Sequence, residues 1–236
     1  MNILAVDTSG PVCGVAVCDG TRVLYEGAAV NRLTHSVNLL PMAQEALCRA
    51  GLTVEQVDLF AAVVGPGSFT GVRIGVSTVK GMAHGAGKPC VGVDALEALA
   101  AGTADRQALV CPIQDARAGQ VYGAAFEGCW PPRRLMEDQA AKLDAFLDSA
   151  LAVAEGKPLL FLGDGVIPYR EAIAARLGER ALFAPAHLTY LRPASVAMLA
   201  LEHRAEAVDY LTLAPRYLRA PQAERARAAR LKAVQP

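Results

Sequence analysis

The chain has 236 residues, 53% of them hydrophobic and 19% charged, with 23 basic and 23 acidic side chains and a formal net charge of zero. That composition excludes a disordered or low-complexity protein. The balanced charge excludes a whole-molecule field that would draw it to nucleic acid or to a membrane surface. No apolar run approaches the roughly 20 residues of a membrane helix. The first residues run straight into a strand with no signal-type segment, so a cytoplasmic location is expected.

In chain order, residues 2–7, 13–18 and 22–29 read as three consecutive strands, with Asp19-Gly20 as the hairpin turn between the last two. Residues 34–50 read as a helix stopped by Gly51, with Leu39, Leu40, Ala43, Leu47 and Ala50 on its inner face and Pro41 near its first turn or at a kink. Residues 59–64 form a continuous apolar run that suits a strand buried on both faces. There follows Gly65-Pro66-Gly67-Ser68-Phe69-Thr70-Gly71-Val72-Arg73, a turn into a helix over 69–87, with Ser68 as N-cap. The helix places Phe69, Val72, Val76, Val79, Ala83 and Ala86 on one face. Gly71, Gly75, Thr78 and Gly85 form a ridge beside it, suited to close approach of another backbone. That backbone is either a segment of this chain or the helix of a partner.

A short strand at 89–93 and a helix at 95–101 complete the first half. Residues 108–113 and 120–126 then read as an antiparallel pair, with a third strand at 130–135. A helix at 142–151, a strand at 159–162 ending in Gly163-Asp164-Gly165, a helix at 169–177, a strand at 182–184 and a helix at 193–204 follow. The repeated β-β-β-α-β-α order suggests an α/β, two-lobed fold of the actin, Hsp70 and sugar-kinase type. Its lobes are expected at 1–104 and 105–220, with 221–236 as a disordered basic tail.

Chemistry is sparse. The turn at 65–71 departs from both common phosphate-loop patterns, because Val72-Arg73 follow Gly71 where Lys and Ser/Thr would be needed, and Thr70 stands where a third glycine would be. Asp7, Asp94, Asp115 and Asp164 lie at strand ends, where they either contact a nucleotide or close turns. The four histidines show no metal-ligand spacing, the six cysteines no C-x-x-C, and no G-x-S-x-G elbow is present.

Taken together, Ile3-Leu4-Ala5-Val6-Asp7-Thr8-Ser9, Thr34-His35-Ser36 with Leu39-Leu40-Pro41-Met42, and the block from Gly65 to Gly75 resemble the TsaB family. Asp115-Ala116-Arg117 with Gln120-Val121-Tyr122, and Pro215-Arg216-Tyr217-Leu218-Arg219, fit the same family. The resemblance implies a dimerisation subunit of the bacterial machinery that makes threonylcarbamoyladenosine in tRNA. On that reading the chain is no enzyme: it binds and activates TsaD, which transfers threonylcarbamoyl to N6 of the adenosine 3′ of the anticodon in tRNAs reading ANN codons. The ATPase TsaE joins the larger complex, tRNA is met through the complex, and the chain alone forms a homodimer.

No catalytic residue, metal or cofactor is implied. The positions matching TsaD's metal-binding histidines are Ala95 and Leu99. The resemblance places the partner surface on the first two helices, at His35, Ser36, Leu39, Met42 and Ala43 and at Gly71, Arg73, Gly75, Thr78 and Met82. Any nucleotide contact would fall at Asp7, Thr8 and Ser9. Replacing Gly75 by Leu is expected to weaken pairing while leaving the monomer folded. The alternatives are an ATP-binding protein or kinase of the same superfold using Asp7 and Asp164, and, less favoured, a peptidase-like activity.

Overall fold

The computed structural model describes residues 1–219 other than Thr21 and Arg32. The tail read at 221–236 lies outside the described residues. Strands β1 (Asn2–Asp7), β2 (Cys13–Asp19) and β3 (Arg22–Ala29) form an antiparallel meander. Helix α1 (His35–Ala50), β4 (Leu59–Gly65), α2 (Phe69–Ala86) and β5 (Cys90–Asp94) follow, and β4 and β5 add parallel to β1. After α3 (Ala95–Ala100) the pattern repeats as β6 (Leu109–Asp115), β7 (Gln120–Glu127), β8 (Arg133–Lys142), α4 (Leu143–Val153), β9 (Leu159–Leu162), α5 (Val166–Leu177), β10 (Ala181–Phe183) and α6 (Pro193–Glu202). The two sheets run β3-β2-β1-β4-β5 and β8-β7-β6-β9-β10, the same order of equivalent strands. This is the two-lobed α/β superfold expected from the repeat.

Period-2 alternation divides each central strand between two cores. On β1, Leu4 and Val6 pack under α1 and α2, whereas Ile3 and Ala5 face a second core shared with α3, α6 and parts of both sheets. On β6, Val110 joins that shared core while Leu109, Cys111 and Ile113 pack under α4 and α5. The helices α3 and α6 are exchanged between halves. The first helix packs beside β6 and β7 of the second sheet, and the second lies across β1 and β2 of the first. Gly14 on β2 has no room for a Cβ, because the Pro193 ring sits there. Glu26 on β3 fastens the start of α6, accepting from Ala194 N at 3.1 Å and pairing with Arg192.

Two element readings are corrected. The strand placed at 130–135 begins at Arg133 and runs to Lys142, paired with β7 down to Gln120↔Lys142. Pro131 and Pro132 lack the N–H that a ladder needs, so pairing starts after them. Leu40, assigned to the inner face of α1, is 58% exposed; the buried stripe is Leu39, Ala43, Ala46 and Leu47.

The segment after α6 has no apolar period, yet it straps both lobes. Val208 and Cys90 exchange backbone hydrogen bonds at 2.8 and 2.9 Å. Lys80 Nζ donates to the carbonyls of Leu211 and Leu213 at 3.2 and 2.9 Å, and Leu213 is buried against the first core. Arg216 N donates to Val64 O at 2.7 Å, and Arg219 Nη1 reaches Ala116 O of the β6–β7 turn at 3.3 Å. Beneath the strap sits a buried charge cluster. Arg134 of β8 pairs with Asp94 at 3.2 Å and with Asp138, and Arg216 pairs with the same two carboxylates. Burial and the facing Asp138 hold the Asp94 carboxyl well above the usual carboxylate range.

Candidate functional site

The β1–β2 turn, Asp7 to Pro11, is the point on which the other site elements are fitted. Asp7 accepts from Ser9 N at 2.8 Å, closing the turn as an Asx side chain does. Thr8 Oγ1 donates to the Gly71 carbonyl at 2.7 Å, and Ser68 N donates to the Ser9 carbonyl at 2.6 Å. His35 Nε2 lies 3.1 Å from the Gly10 carbonyl, so the first turns of both α1 and α2 are tied to this one loop. Ser68 caps α2, its hydroxyl accepting from Gly71 N at 3.2 Å.

The glycines of the 65–75 block are explained by that fit. Gly67 has φ +152°, and a Cβ there would run into Ser9. A Cβ on Gly71 would land on the Thr8 carbonyl oxygen, and one on Gly75 would lie 2.5 Å from Thr8 Oγ1. Both glycines are buried within this chain. They do not belong to a partner-facing ridge, and Gly75→Leu would disturb the monomer itself. Leu39 and Ala43 are each 1% exposed and likewise belong to the core.

The expected interface therefore divides. Ser36 and Arg73 are exposed, and His35, Met42, Thr78 and Met82 are half-buried. Arg73 is not free: its Nε donates to the Tyr217 hydroxyl at 2.8 Å and its guanidinium lies 3.8 Å from the Phe69 ring centroid. Further exposed residues lie on and just before the two helices, among them Leu40, read above as inner-facing, and Gly85 of the ridge. Val30 and Leu33 before α1, and Val37 and Leu40 on it, are apolar and stand at 57%, 58%, 57% and 58% exposure. On α2 the exposed Gly81 and Gly85 have nothing within 4 Å of where a Cβ would stand. Val37 and Leu40, three residues apart on α1 and beside the buried stripe, were the available signal.

Between the lobes lies a cleft of about 520 Å³. Its walls are the β1–β2 turn from Ser9, the start of α2, the β6–β7 turn with Gln114 to Arg117, Tyr122 on β7, Asp164 after β9, and Tyr217 and Arg219 of the strap. Of the three residues expected at a nucleotide, Ser9 lines this cleft. Asp7 lines only a neighbouring space of about 10 Å³ with Gln114 and Asp164, and the Thr8 hydroxyl is committed to Gly71. Burial holds the Asp7 carboxyl above its ordinary value. Ser9 Oγ, Gln114 Oε1 and Asp164 Oδ1 are buried without a hydrogen-bond partner. Gln114, Tyr217 and Arg219 were not assigned to a site, although Tyr217 and Arg219 stand in a stretch that carried the family resemblance.

Asp164 gives a pH-dependent test. Burial, with Asp115 and Asp7 nearby, pushes its carboxyl up to about 6, against about 3.9 in an unfolded chain. An acid raised in the folded state favours folding below its unfolded value, and that contribution is lost as pH rises through the folded one. Asp164→Asn should therefore stabilise the protein by about 2 kcal/mol at pH 7.5 and by little at pH 4. Thermal unfolding of both proteins across that range checks it, and an equal shift at both pH values would contradict the assignment.

Among the described residues no group of three or more His, Cys, Asp and Glu side chains is placed to hold a metal ion. Ala95 and Leu99 are buried in the shared core, at 0% and 3% exposure. No helix of the described residues is long and apolar enough to cross a membrane.

The repeated sheets, exchanged helices and interlobe cleft define a protein of the actin, Hsp70 and sugar-kinase-like superfold. The fold alone is shared with EutJ of Carboxydothermus hydrogenoformans (TM-score 0.50, 14% identity, covering 84% of this chain and 89% of that one). A family model described as "TsaD: tRNA N6-adenosine threonylcarbamoyltransferase" matches residues 29–227. The tRNA threonylcarbamoyladenosine biosynthesis protein TsaB of Bacillus subtilis is 33% identical, over 95% of this chain and 96% of its own length. Its Escherichia coli namesake is 37% identical over 55% of this chain and 58% of its own. A solved structure, YeaZ from Pseudomonas aeruginosa, superposes with TM-score 0.77 and 28% identity, covering 92% of this chain and 99% of that one. The chain belongs to the TsaB family.

Proposed function

We propose that this protein is the non-catalytic partner subunit of a TsaD-type threonylcarbamoyltransferase. It docks on that enzyme through the outer faces of α1 and α2 and supports threonylcarbamoyl transfer to N6 of the adenosine 3′ of the anticodon in tRNAs reading ANN codons. The observation that carries the reading is the pair of exposed apolar side chains Val37 and Leu40 on α1, preceded by exposed Val30 and Leu33, together with exposed Gly81 and Gly85 on α2, which leave room for a second backbone. Apolar side chains grouped on one face in this way mark association surfaces, and small residues allow close helix approach. The same face serves a homodimer when the enzyme is absent, and TsaE joins the assembled pair. Buried Ala95 and Leu99 support the absence of a catalytic metal here.

Val37→Glu with Leu40→Glu places two charges in the centre of that face, where neither side chain supports the monomer fold. Pairing with the TsaD-type enzyme should weaken by a hundredfold or more, with the unfolding temperature nearly unchanged. Threonylcarbamoyladenosine formation in the reconstituted system should fall with it. Unaltered co-elution of the double variant would remove the interface from this face. Full transfer activity without the chain would remove the function.

A further inference from the structure

We infer that the interlobe cleft binds a zwitterionic α-amino acid with an aromatic side chain. Its ammonium group sits against Asp164 and Gln114, its carboxylate turns toward Arg219 and the start of α2, and its ring lies among Phe69, Tyr122 and Tyr217. The site is separate from the pairing face around Val37, Leu40, Gly81 and Gly85 and does not depend on it.

The charges of the lining balance. Asp115 and Asp164 supply two carboxylates, Arg117 and Arg219 two guanidinium groups. A polyanion or a polyamine would meet repulsion from one pair, whereas a ligand with one charge of each sign is matched by both. Asp115 and Arg117 partly satisfy each other, since their side chains lie 3.9 Å apart and Arg117 N donates to Asp115 at 2.9 Å. The other two charges are left open. Asp164 keeps Oδ1 buried without a hydrogen-bond partner. Arg219 donates to a neutral acceptor, the Ala116 carbonyl, at 3.3 Å. The N-terminus of α2, an 18-residue helix, lies in the same cleft wall at Ser68, Phe69 and Thr70, and its dipole favours a carboxylate.

The buried polar groups of the lining point to the same ligand. Ser9 Oγ and Gln114 Oε1 belong to side chains only 2% and 5% exposed, and neither atom has a partner. A hydroxyl and a carboxamide each donate and accept, so these groups can receive an ammonium and also steady a carboxylate oxygen. Leaving them unmatched is costly, and a ligand that pairs them recovers the cost. The rings supply the apolar part. Phe69 and Tyr217 are stacked at 4.6 Å and 30°, Arg73 fixes the pair through the Phe69 face and the Tyr217 hydroxyl, and Tyr122 of β7 adds a ring from the second sheet. Tyr217 stays 40% exposed, so its ring is open to a second aromatic. The β6–β7 turn holds Arg117 and Ala118 at φ +64° and +54°, a strained backbone of the kind kept at ligand sites. At about 520 Å³, the cleft is of the size of small-molecule sites.

Isothermal titration of the full chain with L-phenylalanine and L-tryptophan tests this. At least one should bind with a Kd of about 1 mM or tighter. Phenylethylamine, which lacks the carboxylate, and 3-phenylpropanoate, which lacks the ammonium, should each bind about tenfold more weakly or worse than L-phenylalanine. Asp164→Asn should weaken the amino acid about tenfold and leave 3-phenylpropanoate no weaker. Arg219→Gln should weaken the amino acid and leave phenylethylamine unchanged. A merely structural effect of either substitution would weaken all three ligands alike and would remove that residue from the site. Thermal unfolding establishes that each variant is folded. Absence of binding by both amino acids overturns the inference, as does equal binding of L-phenylalanine and its two singly charged analogues. Displacement of the amino acid by ADP and magnesium at equal concentration also overturns it, by assigning the cleft to a nucleotide.

Discussion

Gly71→Val should abolish folding. A Cβ at this position would coincide with the Thr8 carbonyl oxygen, and the obstacle is backbone on both sides, so no side-chain rotation relieves it. The Gly71 carbonyl also accepts the Thr8 hydroxyl, so moving α2 away breaks a buried hydrogen bond and lifts Val72, Val76 and Val79 from the first core. A loss beyond about 4 kcal/mol is expected, a large share of the 5–15 kcal/mol that holds a typical domain. Circular dichroism and recovery in the soluble fraction measure it. Gly85→Ala is the matched control: the position has open space, and the variant should gain up to about 1 kcal/mol from helix propensity. Equal behaviour of the two variants would mean that the block is glycine-rich for another reason.

Arg134→Met should produce the next largest loss, about 3 kcal/mol at pH 8. The Arg134 guanidinium is 4.6 Å from the Phe126 ring centroid and pairs with both Asp94 and Asp138. Methionine keeps much of the packing and leaves two buried carboxylates facing each other with only the half-exposed Arg216 between them. The folded-state value of Asp94 already lies above normal, and removal of Arg134 raises it further. An acid raised in this way favours folding at low pH and loses that contribution as pH rises through its folded value. The variant should therefore be closer to wild type at pH 5 than at pH 8, as read by urea unfolding at both. A deficit independent of pH would assign the loss to packing.

Much of the fold was legible because its signals are local and repeated. The strand at β1 and the apolar run at β4 carry no competing period, and Ser68 and Gly51 mark helix ends by chemistry that tertiary structure did not override. The site was less legible, for one physical reason: a sequence shows that a residue is small or apolar, but not what lies opposite. Gly71 and Gly75 read as a ridge for any close neighbour, and only the folded chain shows that the neighbour is Thr8. Leu39 and Leu40 are identical in type and adjacent, yet one is core and the other exposed. The strap at 207–219 left no periodic trace, because it is held by backbone pairing with Cys90 and Val64 and by single side chains such as Leu213 and Arg216. The Asp94, Arg134, Asp138 and Arg216 cluster joins residues up to 122 positions apart, beyond the reach of any spacing argument.

The exchange of α3 and α6 has a consequence for how the molecule can be divided. Each half-chain encodes a helix that roofs the other half's sheet. A polypeptide severed between 102 and 106 would yield two fragments, each with a bare apolar sheet face and a stray helix seeking a home on its sibling. The two lobes are therefore lobes of shape only. Expressed separately, neither half should fold by itself, and circular dichroism of the two fragments alone and mixed would check it.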